Sequence, residues 1–394
     1  MNKALIVILG AVLLDAIGIG LIFPILPQLL REVTHIGDIT PLIGIMISLY
    51  ALMQFLFSPI LGALSDRFGR RPILLISLAG AALDYVVMAF TPELWILLVG
   101  RAIAGITSAN MAVATAYVTD ITPEEKRAER FGYIHAMFGI GFLIGPVLGG
   151  FLGEFWVRAP FLAAALLNLL NFVFAYFVLP ESRVGEKIPI ELKALNPFRL
   201  LKWSLSITAL APFLIIFFIL GFMGEIYGTV WVLYGEDAFD WSPFMIGLSL
   251  GVFGLFHALV QGFLPGPAAR IFGEKKAFLI GMAAELTAMV IIAFVTQAWV
   301  VFLLLPVFAL GGVGGPALHS MVTRSVNKDQ QGRLQGVLTS LTSVASIFGP
   351  LFFAGAYFAV KADWPGAIWL IGAVTYLAVV PFIMGLKSSS PKTE

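Results

Sequence analysis

Apolar runs of about twenty residues, the length that crosses roughly 30 Å of hydrocarbon at about 1.5 Å per residue, recur along the whole chain between short polar stretches. Twelve such runs predict twelve membrane-spanning helices, at about 4–26, 42–62, 73–91, 95–117, 131–153 and 159–179 in the first half and 207–233, 243–264, 277–295, 298–320, 335–358 and 366–386 in the second. One long polar interruption, 180–206, opens Pro180-Glu181-Ser182-Arg183 and separates six spans from six. The first run follows Met1-Asn2-Lys3 with no small-residue cleavage site behind it, so it reads as a span and not as a cleaved signal.

The two halves repeat. Phe68-Gly69 returns as Phe272-Gly273, Gly132 as Gly336, and Gly145-Pro146 as Gly349-Pro350, all at one offset of 204 residues and at the same place relative to the spans. The expectation is an all-α polytopic membrane protein of two parallel six-helix pseudo-repeats, the arrangement of carriers that rock about a midplane site. Its parts are an N-terminal half at 1–179, a central loop at 180–206, a C-terminal half at 207–386 and a tail at 387–394.

Composition agrees with lipid as the solvent: 59% of residues are hydrophobic against 12% charged, and the mean hydropathy is +0.96. The absence of cysteine removes disulfides, thiolate metal sites and thiol nucleophiles. Four scattered His residues suggest no metal centre, and a net charge of +1 without a charged tail gives no sign of nucleic acid. Basic residues fall on one side. Arg67, Arg70 and Arg71; Lys126, Arg127 and Arg130; Arg183, Lys187, Lys193, Arg199 and Lys202; Arg270, Lys275 and Lys276; and Arg324, Lys328 and Arg333 lie in the even-numbered connections, with Lys3, Lys387 and Lys392 near the termini. The opposite side shows only Arg31, Arg158 and Lys361, which predicts cytoplasmic termini and a cytoplasmic central loop.

An ionisable group inside hydrocarbon costs about 2.5–3.5 kcal/mol even on the mildest scales, so each one calls for a reason. Asp15, Asp84, Arg101, Glu225 and Glu285 fall within spans. For Asp15, Asp84 and Glu285, at comparable depth in the first, third and ninth spans, the functional reading is reversible protonation; the alternative is a permanent ion pair that ties helices together. Arg101 is expected to be a counter-ion, with Asp84 on the neighbouring span as its partner. Glu225 is placed toward the periplasmic end of the seventh span, where either a ligand contact or simple hydration would explain it.

Three further patterns stand out. The connection Gly62 to Pro72 carries Asp66, Arg67, Gly69, Arg70 and Arg71, whose glycines allow a tight turn and whose charges can pair in one of two conformations; positive-inside topology alone explains the arginines but not Asp66. The fifth span carries Gly141, Gly145, Pro146, Gly149 and Gly150, a spacing that lets backbones approach closely. Gln54 in the second span and the i, i+4 pair His257 and Gln261 in the eighth are polar groups at depth, suited to interhelical hydrogen bonds or to ligand.

These residues resemble the major facilitator superfamily in its drug:proton antiporter branch. The connection 62–72 is similar to the signature between its second and third helices, Gly141 to Gly150 to its fifth-helix motif, and Arg101 with Gly105 to its fourth-helix motif. Over nearly the whole chain the resemblance narrows to the Gram-negative tetracycline efflux proteins, through Leu14-Asp15-Ala16-Ile17-Gly18, Ala51-Leu52-Met53-Gln54, Leu83-Asp84-Tyr85, Ala165-Leu166-Leu167-Asn168, Phe256-His257 and Gln330-Gln331-Gly332. The resemblance implies the major facilitator fold, an inner-membrane carrier and proton-driven export by alternating access. Asp15, Asp84, Arg101 and an acid at 285 then serve transport, and Asp66 and Arg70 the gate.

It also implies that the substrate is a tetracycline as its divalent-cation complex, the cation belonging to the substrate and not to a resident cofactor. No cofactor beyond a proton gradient is expected. The implied partners are a small-molecule drug, protons and lipid, with no nucleic acid and no obligate protein partner. The chain departs from the family's pattern at Glu285, usually Asp; at Glu225, where a polar amide is common; and at Ser108-Ala109-Asn110-Met111, where the family runs Gly-Ala-Thr-Gly. Asn110 and Met111 are therefore expected to add bulk to a substrate cavity. A broader multidrug or metabolite antiporter is the alternative within transport, and a non-transporting sensor the alternative from another class. An enzyme finds no Ser/His/Asp, HExxH or Walker pattern.

Overall fold

In the computed structural model, residues 3–108, 110–182, 210–327 and 330–386 are described. The central-loop and tail residues beyond them, including Lys187, Lys193, Arg199, Lys202, Lys387 and Lys392, lie outside the described residues. Twelve helices are long and apolar enough to cross a membrane, and no strand occurs among the described residues. The chain is a multi-pass membrane protein of all-α architecture.

The first six spans are built by α1 (Lys3–Ile22), α3 (Thr40–Phe68), α4 (Arg70–Phe90), α5 with α6 (Leu94–Thr107, Asn110–Ile121), α7 (Arg127–Phe155) and α8 (Ala159–Val178). A short α2 (Leu26–Thr34) follows the first span and buries Pro27, Leu29, Leu30 and Val33. The first span ends earlier than its hydropathy suggests because Pro24 disfavours helix at Phe23 and has no N–H to give. The last six spans are α9 (Ala211–Phe239), α10 (Pro243–Phe263), α12 (Glu274–Phe294), α13 with α14 (Ala298–Leu310, Gly314–Thr323), α15 (Gln331–Val360) and α16 with α17 (Ala367–Leu377, Val380–Gly385), with a short α11 (Pro265–Phe272) before α12.

The fourth and tenth spans, each continuous by hydropathy, are broken in mid-course. Helical hydrogen bonding lapses at Ser108 between α5 and α6, and a 3₁₀ turn, Gly311–Val313, separates α13 from α14. Ser108 and Gly312 stand 204 residues apart, so the two breaks are equivalent positions of the repeat. The Phe-Gly landmarks behave likewise. Gly69 (φ 108°, ψ 157°) precedes α4 and Gly273 (φ 79°, ψ 156°) precedes α12, the same backbone reversal at a φ that a side chain would strain.

The chain forms two compact units, one of Met1–Pro197 with Asp240–Gly254 and one of Phe198–Phe239 with Leu255–Glu394. In the first, α1 packs against α7 and α8, α3 against α5, and α4 against α8. In the second, α9 packs along α15, and α12 against α13, α14 and α16. An aromatic cluster of Tyr227, Trp231, Tyr234 and Phe308 surrounds the fully buried Trp369 there.

Candidate functional site

Close helix packing in the first unit is a direct product of the glycines on α7. A Cβ built on Gly141 would meet Leu13 O at 2.7 Å, on Gly145 Ile17 O at 2.7 Å, and on Gly149 Leu21 O at 2.0 Å, all backbone of α1. A Cβ on Gly150 would meet Pro243 O at 2.3 Å, and one on Gly247 near the start of α10 would meet Pro146 O at 2.2 Å, so the same motif also seats the first turns of α10. Side chains at these positions would hold the backbones apart, and α1, which carries Asp15, would shift with them.

Asp15 sits past the middle of α1, and Asn110 Nδ2, on the first residue of α6, donates to its Oδ1 at 2.8 Å. Among the described residues no cation pairs with Asp15. Asp84 has one: Arg101 Nη2 bonds its carboxylate, with the two side chains 2% and 14% exposed. Gly100 makes room for that pair, since a Cβ there would lie 2.9 Å from Asp84 Oδ1. The Arg101 guanidinium also stacks over the Tyr50 ring at 5.6 Å, the Tyr50 hydroxyl shares a hydrogen bond with Ser108 Oγ at 2.6 Å, and Gln54 Nε2 donates to Ser108 Oγ at 2.9 Å. The expected Asp84–Arg101 pairing is thus present, and Gln54 joins the polar group through the helix break.

The second unit gathers a parallel set around its own break. Glu285, midway along α12, accepts a hydrogen bond from the Tyr227 hydroxyl at 2.7 Å and another from Tyr376. Gly311 allows the approach, a Cβ there falling 2.4 Å from Glu285 Oε2. Gly312 lies under His257 and Gln261, whose side chains touch each other at 3.5 Å. Each unit therefore holds one carboxylate beside a broken helix, and one i, i+4 polar pair reaching the break from a neighbouring span: Tyr50 with Gln54, and His257 with Gln261.

Two expectations are corrected. Glu225 is not near an exit: α9 runs from Ala211 to Phe239 and puts it at the midpoint, where Ser346 Oγ on α15 donates to its Oε1 at 2.5 Å. The helix runs past residue 233, where hydropathy ended the span, to Phe239, and Trp231, Leu233 and Tyr234 are buried along that stretch. Met111 does not join Asn110 at Asp15; its half-buried side chain packs on the apolar cluster that includes Leu5, Ile8, Leu74 and Val113. Helix periodicity explains it, since one residue on from Asn110 turns the side chain by about 100° around α6.

At the connection between α3 and α4, Arg70 is the hub. It pairs with Asp66 at 2.7 Å and Asp120 at 3.1 Å and donates to Ser65 Oγ at 2.6 Å, while Arg71 donates to Tyr176 O and Arg67 stacks on Phe68. Glu181 accepts from the backbone N–H of Arg70 at 2.8 Å and of Arg71 at 3.2 Å, setting a carboxylate on the N-terminus of α4. Sequence reasoning missed Asp120 and Glu181. The repeat held the signal, because Glu274 pairs with Arg324 in the second unit, and these are residues 70 and 120 advanced by 204 with both charges reversed. It also missed Tyr227 and Tyr376, since a tyrosine in an apolar helix looks like core.

A broken-helix, two-repeat membrane fold with buried carboxylates is the architecture of a carrier, and the family comparison agrees. The model of the Major Facilitator Superfamily matches residues 8–234 and 213–394, and the chain belongs to this superfamily. It is a transporter, not an enzyme. Within the superfamily it is 52% identical over 380 residues to the class C tetracycline resistance protein of Escherichia coli, covering 96% of each chain. It is 46% identical over 386 residues to the class G tetracycline resistance protein of Vibrio anguillarum, covering 97% of this chain and 98% of the relative. Among solved structures, the human organic anion transporter MFSD10 (TETRAN) is similar at a TM-score of 0.72 and 25% identity, covering 97% of this chain and 99% of that one.

Proposed function

We propose that the chain exports a tetracycline, carried as its divalent-cation complex, in exchange for protons, by alternating access across the bacterial inner membrane with both termini in the cytoplasm. Support for the substrate comes from the identity to the tetracycline resistance proteins over nearly the full chain. The observation that carries the coupling is the pair Asp15 and Glu285. Each lies at depth in its span beside a broken helix and is held by neutral donors alone among the described residues.

A carboxylate held by neutral donors can gain and lose a proton without leaving a cation stranded, whereas neutralising Asp84 would orphan Arg101 in the membrane. Asp15 and Glu285 are therefore the exchanging acids, and Asp84 with Arg101 is a fixed pair binding α4 to α5. The drug complex and protons compete for the acids: a charged acid favours the drug, and a neutral acid favours return of the empty carrier. Arg70 and its partners Asp66, Asp120 and Glu181 form the gate at the cytoplasmic end. Asn110 touches Asp15, while Gln54 at Ser108 and His257 with Gln261 at Gly312 are the further candidate drug contacts, and Ser346 ties down Glu225.

Reconstituted vesicles test the reading. With an imposed pH gradient and no ATP, they should accumulate tetracycline with magnesium, and Asp15→Asn and Glu285→Gln should abolish accumulation. Uptake that ignores the gradient, or that persists in both variants, would overturn it.

A further inference from the structure

The Asn110 amide has one satisfied end and one that is not. Its Nδ2 donates to Asp15 at 2.8 Å, but its Oδ1 is fully buried and accepts from nothing among the described residues. A buried amide oxygen left bare is costly, on the order of one hydrogen bond or more, unless some state of the protein fills it. The donor nearest in that state is the carboxyl group it already touches. A carboxylate only accepts, but a carboxylic acid carries one O–H.

We infer that Asn110 is the positioning residue for the Asp15 proton, donating its N–H to the carboxylate and accepting the O–H of the acid at its waiting Oδ1. When Asp15 takes a proton from water, one O–H bond forms, the N–H···O bond stays, and an O–H···O bond to Asn110 closes an acid–amide pair. Loss of the proton to water reverses the step. Asp15 thus has a hydrogen-bonded partner in both of its states, which is what an acid exchanging protons in a low-dielectric interior needs.

The surroundings leave this work to Asn110. Against Asp15 on α1, α7 offers the backbone around Gly141, and α8 offers the neutral Asn168 and Asn171, the latter donating to Ala11 O. The ionisable groups within reach of its charge are the Tyr50 and Tyr85 hydroxyls from α3 and α4. Beyond Tyr50 stand Arg101 and Asp84, already paired with each other. Asn110 begins α6 just after the break at Ser108, so the start of that helix and the protonation of Asp15 are mechanically joined.

The inference rests on the reading of Asp15 as an exchanging acid, and infrared difference spectra of the reconstituted protein between neutral and acid pH separate the two. The carbonyl band of a protonated carboxyl that appears on acidification and is missing in Asp15→Asn reports the Asp15 acid. In Asn110→Leu, of similar shape but without hydrogen bonds, that band should move to higher frequency, and proton-driven exchange should fall roughly tenfold. Asn110→Thr, with one hydroxyl, should give a smaller shift in the same direction, and it carries the test if the leucine variant does not fold. A band at the wild-type frequency in either variant would overturn the role of Asn110. If Asp15→Asn removes no band and leaves exchange intact, the reading of Asp15 falls instead.

Discussion

Replacing Gly149 by alanine tests whether the glycines of α7 act by packing, and the structure sets the size of the effect. An alanine Cβ would stand 2.0 Å from Leu21 O, 2.6 Å from Leu21 C and 2.8 Å from Leu21 Cα, whereas ordinary contact begins at 3.4 Å. These are backbone atoms that cannot rotate away, so α1 and α7 must separate by roughly 1.4 Å at that point, and overpacking of this kind costs about 1–3 kcal/mol. Asp15 lies six residues before Leu21, about 9 Å along the axis, so the displacement reaches the 2.8 Å bond to Asn110. Gly139, on the same helix with nothing within 4 Å of its Cβ position, is the control. There alanine should stabilise by about 0.5–1 kcal/mol through backbone entropy. Thermal unfolding in detergent and uptake into vesicles should show Gly149→Ala less stable and much less active, and Gly139→Ala unharmed. Equal behaviour of the two variants would refute the packing argument.

Glu285→Gln should keep its place between Tyr227 and Tyr376 yet uncouple drug export from proton entry; antiport in vesicles at the wild-type rate would take α12 out of the proton path. Asp66→Asn should abolish export with near-normal membrane levels, since Asp66 is half-exposed and holds Arg70 rather than the fold; parallel loss of protein and activity on immunoblots would make it a folding residue. Exchanging the charges of Glu274 and Arg324 together should restore much of the activity that Glu274→Arg alone removes, read by resistance of a sensitive host. Met111→Gly should lower thermal stability by about 1–3 kcal/mol and leave the resistance spectrum narrow, because the side chain fills an apolar cluster; a widened spectrum in a growth panel would put Met111 back at the cavity.

The fold was legible because lipid removes ambiguity: a run of twenty apolar residues has few other ways to satisfy its backbone than as a helix. The breaks at Ser108 and Gly311–Val313 were not legible as breaks, since hydropathy sums side chains and is blind to whether the backbone ladder is continuous. The pairing of Asp84 with Arg101 could be anticipated from depth and neighbouring spans. The neighbours of Glu285 could not, because Tyr227 lies 58 residues away and Tyr376 further, and no spacing rule links them. Glu225 was misplaced by the end of its span, and Met111 was judged by volume when its direction on α6 decides what it fills.

The repeat separates what the halves must share from what they may vary. Shared positions are geometric: the Phe-Gly reversals before α4 and α12, the helix breaks at Ser108 and Gly312, and the close glycine contacts that Gly145 makes with Gly20 and Gly349 with Glu225. The chemistry laid on them differs. Arg70 with Asp120 becomes Glu274 with Arg324, and the buried Leu21 is matched by Glu225. Asp15 and Glu285 occupy positions that the repeat does not relate, since 204 residues on from Asp15 stands Ile219. The pair Asp84 and Arg101 is likewise unrepeated, since 204 residues on stand Ala288 and Leu305. Asymmetry over a symmetric frame gives each of the two proposed proton-exchanging acids its own neighbours: an amide for Asp15 and two phenols for Glu285.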